Sequence, residues 1–122
     1  MKLEPTPTLN DRYLYAARVT RVVDGDTVIC DIDLGCGIWL RGERCRLFGI
    51  NAPEVRGEEA MDGVRAKEHL DFLVHTTKPL LIRTHKDRSE KYGRLLVELW
   101  QDGVNLNQRM IDNGHAEPKD YE

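Results

Sequence analysis

Three short stretches hold the residues whose types and spacing could do chemistry. In "RVVDGDTVIC", Asp24 and Asp26 stand one glycine apart between runs of β-branched residues. Asp-Gly there makes a tight hairpin turn with the second Asp facing water; the same carboxylates also suit a hard cation, which needs further oxygen ligands from elsewhere. "RLFGINAPE" offers such partners, because Arg46 leads into Asn51, Ala52, Pro53 and Glu54. An amide oxygen, a carboxylate and a backbone that Pro53 biases away from helix are presented together, so the Ala52 carbonyl can be held outward. Without chemistry the same stretch is a strand ending in a Pro turn, with Glu54 capping a helix and Arg46 a surface charge. "EKYGR" brings Lys91, Tyr92 and Arg94. It is either a polar loop between strands or a phosphate grip made of a point charge, a hydroxyl donor and a planar guanidinium fork.

The elements around these stretches must bring them together. "RYLYAARVTRVV" reads as a strand with Tyr13, Tyr15, Ala17, Val19 and Val23 inward, and Val28, Cys30, Ile32 and Leu34 alternate with Asp31 and Asp33 in a second strand that ends at Gly35. The two form a hairpin around Asp24-Gly25-Asp26. "GIWLRGERCRLFGI" is a third strand, with Arg44, Arg46, Phe48 and Ile50 on one face and Cys45 and Leu47 on the other. From Glu58 to about Val74, the spacing of Ala66, Leu70, Leu73 and Val74 predicts a helix with Arg65, Lys67, Glu68 and Asp71 toward solvent, its first turns weakened by Gly63. "LLIRTHK" and "RLLVELW" are the fourth and fifth strands, Asp102-Gly103 is a turn, and Asn105 caps a short helix that runs through Asp112 and stops at Gly114. The fold class is α+β and mainly β: a five-stranded OB-type barrel with one helix between strands 3 and 4 and a short helix after strand 5.

The chain of 122 residues suits one domain from residue 13 to 122, with residues 1 to 12 as a loose tail. A net charge of -3 does not advertise a nucleic-acid binder, so any such function rests on a local basic patch. Arg41, Arg44, Arg46, Arg56, Lys86, Arg88, Lys91 and Arg94 are the candidates, from segments expected to converge at one mouth of the barrel. Cys30, Cys36 and Cys45 are odd in number and lack a CxxC pair, which points to reduced, buried or half-buried thiols. The start lacks the apolar core of a secretory signal and no stretch approaches the roughly 20 apolar residues of a membrane span, so the expected location is the cytoplasm.

In this order, "DGDT", "RLFGINAPE" and "KYGR" resemble the staphylococcal (micrococcal) nuclease family, the thermonucleases, over about Val19 to Ala116. The resemblance implies an OB-fold nuclease that cuts DNA and RNA with Ca²⁺, Mg²⁺ or Mn²⁺ being alternatives, and leaves 3′-phosphates. It implies that Asp26 is the direct carboxylate ligand, with Asn51 and the backbone carbonyl of Ala52 beside it, and that Asp24 orients the cation's water from outside the ligand ring. Glu54 is then the carboxylate that positions or deprotonates the attacking water, Arg46 and Arg94 bind the scissile phosphate, and Lys91 and Tyr92 hold a neighbouring phosphate. Such roles fit the chemistry, since fixed arginines and a cation stabilise charge that grows on phosphoryl oxygens, and a Glu can take a proton from water.

Asn51 and Ala52 depart from the Asp and Thr of the best-known members. An alanine carbonyl serves as well as a threonine carbonyl, whereas Asn51 removes one negative charge from the ligand set, and affinity in such sites depends on ligand charge. Two other readings compete: a catalytically silent OB module that binds nucleic acid or protein, and an unrelated hydrolase with the same metal site. Retention of Asp26, Arg46, Glu54 and Arg94 together favours the enzyme. The expected substrate is DNA, RNA or both, and the expected state is a monomer without membrane or obligate protein partner.

Overall fold

The computed structural model describes residues 8–9, 12–74, 80–89 and 93–120, with backbone only for 86–89. The expected N-terminal tail lies almost wholly outside them. Strands β1 (Leu14–Asp24), β2 (Thr27–Gly35) and β3 (Ile38–Leu47) form an antiparallel meander. A two-residue strand β4 (Ile50–Asn51) and a 3₁₀ turn (Gly57–Glu59) lead into helix α1 (Ala60–Val74), which is followed by β5 (Leu80–Ser89) and β6 (Leu95–Gln101). A two-residue β7 (Val104–Asn105), helix α2 (Leu106–Asp112) and a two-residue β8 (Glu117–Pro118) complete the order. The main sheet runs β3-β2-β1-β5-β6-β7, and a parallel β3–β6 pairing closes its five long strands into the expected barrel.

The apolar alternation of the strands fills the barrel with Val28, Cys30, Ile32, Cys45, Leu47, Ile82, Val97 and Leu99, all at most 1% exposed. Four details differ from the sequence pattern. The β1–β2 ladder shifts register between Val19 and Arg21, and this β-bulge sends Val22 inward in place of Val23. The third strand does not run on to Ile50: it breaks at Phe48-Gly49, where Gly49 has a φ of 83°, and restarts as β4. Arg44 and Arg46 share a face in sequence but not an environment. Arg46 sits where β3 pairs with both β2 and β6 and is buried, while Arg44 pairs only across to β2 and is exposed. The far end of the β2–β3 hairpin stands clear of the barrel, so Leu34 is exposed rather than core, and so are Ile38, Trp39 and Leu40.

Helix α1 buries Gly63, Ala66, Leu70 and Val74, one stripe at helical spacing. Its C-terminal half is tied to the end of α2. The His69 and His115 rings stack at 4.4 Å, and the Asn113 amide donates to His69 Nε2 at 2.8 Å. Burial and then the His115 charge push the His69 pKa below its ordinary value. Helix α2 begins as expected, with the Asn105 side chain accepting from the Gln108 N–H, and ends at Gly114 with a φ of 79°. The chain then returns to pair with β4, Ile50 opposite Pro118 and Asn51 opposite Glu117, and the Lys119 N–H donates to the Gly49 carbonyl at 2.8 Å. Of the cysteines, Cys30 and Cys45 are buried neighbours on β2 and β3, while Cys36 is exposed at the hairpin tip, contrary to the expectation of buried or half-buried thiols.

Candidate active site

The β1–β2 turn is built by close approach rather than by backbone handedness. Gly25 does not have a positive φ; a Cβ there would lie 2.7 Å from the Ala66 Cβ and 2.9 Å from the Ala52 Cβ. Only glycine lets the turn sit against α1 on one side and the loop after β4 on the other. Asp26 therefore points into the protein rather than to water and is 8% exposed. Its Oδ2 accepts from the Ala52 N–H at 2.8 Å and faces Arg46 Nη1 at 3.2 Å, and its Oδ1 accepts from Thr27 Oγ1 at 3.0 Å.

Arg46 is 6% exposed, which excludes the surface-charge reading. Its Nη1 reaches Asp26 Oδ2, with the carbonyls of Asp26 and Leu47 both at 3.4 Å, and its Nη2 donates to Asn51 Oδ1 at 3.0 Å. Arg94 arrives from the start of β6 and donates to Thr27 Oγ1 at 3.4 Å. The parallel β3–β6 pairing is what makes this possible, because it sets Arg46 opposite Leu96, two residues beyond Arg94. Two guanidinium groups that are distant in sequence thus meet at the Asp26-Thr27 corner.

Glu54 is exposed and does not cap the 3₁₀ turn, whose cap position is Arg56. Its backbone is held by the feature that the sequence suggested was a weakness. A Cβ on Gly63 would fall 1.9 Å from the Glu54 carbonyl oxygen and 2.7 Å from the Val55 nitrogen, so α1 rests directly on the backbone of Glu54 and Val55. Gly63 lies three residues before Ala66 on the buried stripe, and that position was the signal available in the sequence. Asp24 is half-buried with a raised pKa, first by burial and then by the charges of Asp26 and Glu54, while Lys67 and Arg94 oppose the shift. Lys67, expected on the solvent face, is half-buried and acts electrostatically on this corner.

Lys91 and Tyr92 lie outside the described residues, as do the side chains of Lys86 and Arg88. Arg41 does not join the corner: it pairs with Asp31 at 3.2 Å and stacks over Trp39 on the hairpin. Asn107 was missed by sequence reasoning. Buried at 3%, its amide donates to the carbonyls of Phe48 and Val97 and accepts from the Leu99 N–H, fixing the break between β3 and β4. A buried polar residue on an apolar helix face is its only trace in the sequence.

Among the described residues, no three His, Cys, Asp or Glu groups converge into a metal cage. The donors that fit a cation are one buried carboxylate, an amide oxygen and a backbone carbonyl, a set suited to a hard, partly hydrated ion. Asp26 has capacity for it. A carboxylate oxygen offers two lone-pair positions, and Oδ2 meets two donors while Oδ1 meets only one.

Residues 44–122 match the family described as staphylococcal nuclease homologue. The chain is 30% identical over 106 residues to a thermonuclease of Staphylococcus hyicus, covering 85% of this chain and 59% of that protein. It is 30% identical over 122 residues to a thermonuclease of Staphylococcus intermedius, covering 98% and 67%. An uncharacterized endonuclease of Escherichia coli is 33% identical over 101 residues, covering 81% and 58%. The chain thus spans about three-fifths to two-thirds of the length of these relatives.

Proposed function

The chain belongs to the staphylococcal nuclease homologue family, and from that premise we propose that it is a metal-dependent nuclease that hydrolyses phosphodiester bonds of DNA, RNA or both. The observation that carries this reading is the meeting of Arg46 and Arg94 at Asp26-Thr27, two guanidinium groups beside one buried carboxylate. A silent binding module needs one guanidinium to neutralise Asp26 and does not call for a second, that of the half-buried Arg94, at the same corner. Transition-state charge on a phosphoryl group does.

In this proposal Asp26, the Asn51 amide oxygen and the Ala52 carbonyl hold a divalent cation, Ca²⁺ or alternatively Mg²⁺ or Mn²⁺, with Asp24 beyond the ligand ring. When bound, the cation supplies charge stabilisation and more acidic water. Arg46 and Arg94 hold the equatorial oxygens of the phosphate, as planar forks do. Glu54, exposed beside the corner, takes the proton of the water that attacks phosphorus. The water oxygen forms the new P–O bond as the ester bond to the leaving oxygen breaks, and the departing alkoxide takes its proton from solvent water. Lys91 and Tyr92 grip the adjacent phosphate.

The test is incubation of the purified protein with single-stranded DNA, duplex DNA and RNA, each with Ca²⁺, Mg²⁺, Mn²⁺ or a chelator. Cleavage that the chelator abolishes is expected. Binding without cleavage in every metal would overturn the proposal and leave the silent module.

A further inference from the structure

Arg46 reaches its position through two acceptors of different charge. Asp26, an anion, takes Nη1 at 3.2 Å; Asn51, a neutral amide, takes Nη2 at 3.0 Å. A guanidinium has five N–H donors. The two on Nη1 are directed at Asp26 and the Leu47 carbonyl and one on Nη2 goes to Asn51, which leaves one Nη2 hydrogen and the Nε hydrogen without an acceptor among the described residues. Without Asn51, only the Nη1 contacts would oppose rotation about the Nε–Cζ bond, the motion that exchanges Nη1 with Nη2.

Asn51 is itself firmly seated. It lies on β4 opposite Glu117 of β8, with the Lys119–Gly49 hydrogen bond closing the pair.

We infer that Asn51 is a positioning residue for Arg46, fixing the plane of its guanidinium through Oδ1. This rests on the proposed nuclease reading, and it gives Asn51 a task that exists before any cation binds.

The experiment uses the full chain, labelled with ¹⁵N-arginine and kept in chelator, with Arg46 signals assigned by their loss in Arg46→Lys. The wild type is expected to show distinct, slowly exchanging Nη resonances for Arg46. Asn51→Leu, close in size but with no acceptor, is expected to merge them, and Asn51→Asp to keep them apart. The backbone amide spectrum establishes that each variant is folded; Asn51 is itself exposed, so truncation opens no core cavity. In cleavage assays on a single-stranded oligonucleotide at saturating Ca²⁺, Asn51→Leu should lose about tenfold or more in kcat, the scale of one hydrogen bond to a charged group. Asn51→Asp, which keeps an acceptor for Nη2, should lose far less kcat than Asn51→Leu, and calorimetry should show tighter Ca²⁺ binding from the added ligand charge. Unmerged Arg46 resonances in Asn51→Leu would overturn the inference, as would merged resonances in Asn51→Asp. If no form of the protein cleaves any substrate, the nuclease reading fails, while the arginine resonances still decide the Asn51–Arg46 contact.

Discussion

Arg46 and Glu54 stand eight positions apart in the chain yet under opposite constraints, and their variants should fail in different ways. Glu54 is exposed and its side chain anchors no other side chain among the described residues, so Glu54→Gln should keep stability and metal binding while kcat falls by a hundredfold or so, the scale of losing a general base. Calorimetry with Ca²⁺ beside single-turnover cleavage checks this, and an unaltered rate would remove Glu54 from the base role. Arg46 is buried and compensates Asp26, so Arg46→Ala should lose activity and also about 3–5 kcal/mol of stability, because an uncompensated buried carboxylate is left behind. Urea unfolding measures it. Equal loss of activity with full stability would mean that water reaches Asp26 easily and that the pairing is catalytic only. Asp24, Asp26, Arg46, Asn51, Glu54 and Arg94 were legible as candidates from their motifs, since residue types suited to cation and phosphate cluster in the same three stretches, whereas Thr27 and Lys67 were not. Their partners were not, because the choice of Asn51 rather than phosphate as the Arg46 acceptor is a matter of geometry between β3 and β4.

At the scale of elements, contact between α1 and the site depends on the two glycines that permit it. Gly63→Ala places a methyl against the Glu54 carbonyl, and α1 must shift to admit it. The expected cost is about 1–3 kcal/mol, in place of the gain a helix usually draws from Ala for Gly. Thermal melting decides the sign, and a stabilised variant would mean that the loop yields rather than the helix. The other end of α1 should respond to pH. His69 has a lowered pKa in the fold, so between that value and its ordinary 6.5 the native protein binds fewer protons than the unfolded chain. Stability present above 6.5 is therefore lost as pH falls through this window, and protonation also ends the acceptance by Nε2 of the Asn113 amide. Melting from pH 7.5 to 5 should show that slope, reduced in His69→Gln; equal slopes would assign it to other groups. Strands, helices, the Asn105 cap and the Gly114 stop were readable because each is signalled within a few residues. The β1 bulge, the Gly63 contact and the β4–β8 pair were not, because each is decided by a neighbour far away in sequence.

At the scale of the whole molecule, the barrel seam is also the site's seam. Strands β1 to β3 are linked by short turns and pair with their neighbours in sequence, whereas Cys45, Arg46 and Leu47 of β3 meet Leu95, Leu96 and Val97 of β6 across the rest of the chain. Contacts of such separation carry a larger loop-closure cost and form late when a chain folds. A molecule with its meander formed and its seam open has an intact Asp24-Gly25-Asp26 turn but Arg46 and Arg94 on separate pieces. Recovery of function after denaturation should consequently be an all-or-none reporter of closure. In stopped-flow refolding from urea, far-ultraviolet circular dichroism is expected to return first, and nuclease competence only with the slowest phase. Were cleavage to reappear with the earliest phase, Arg94 would have reached Asp26 before the strands closed. An open seam would also free two strand edges at once, and an edge of that kind is what recruits a second chain, so the β3–β6 pairing that brings both arginines to this corner doubles as a latch against aggregation during folding.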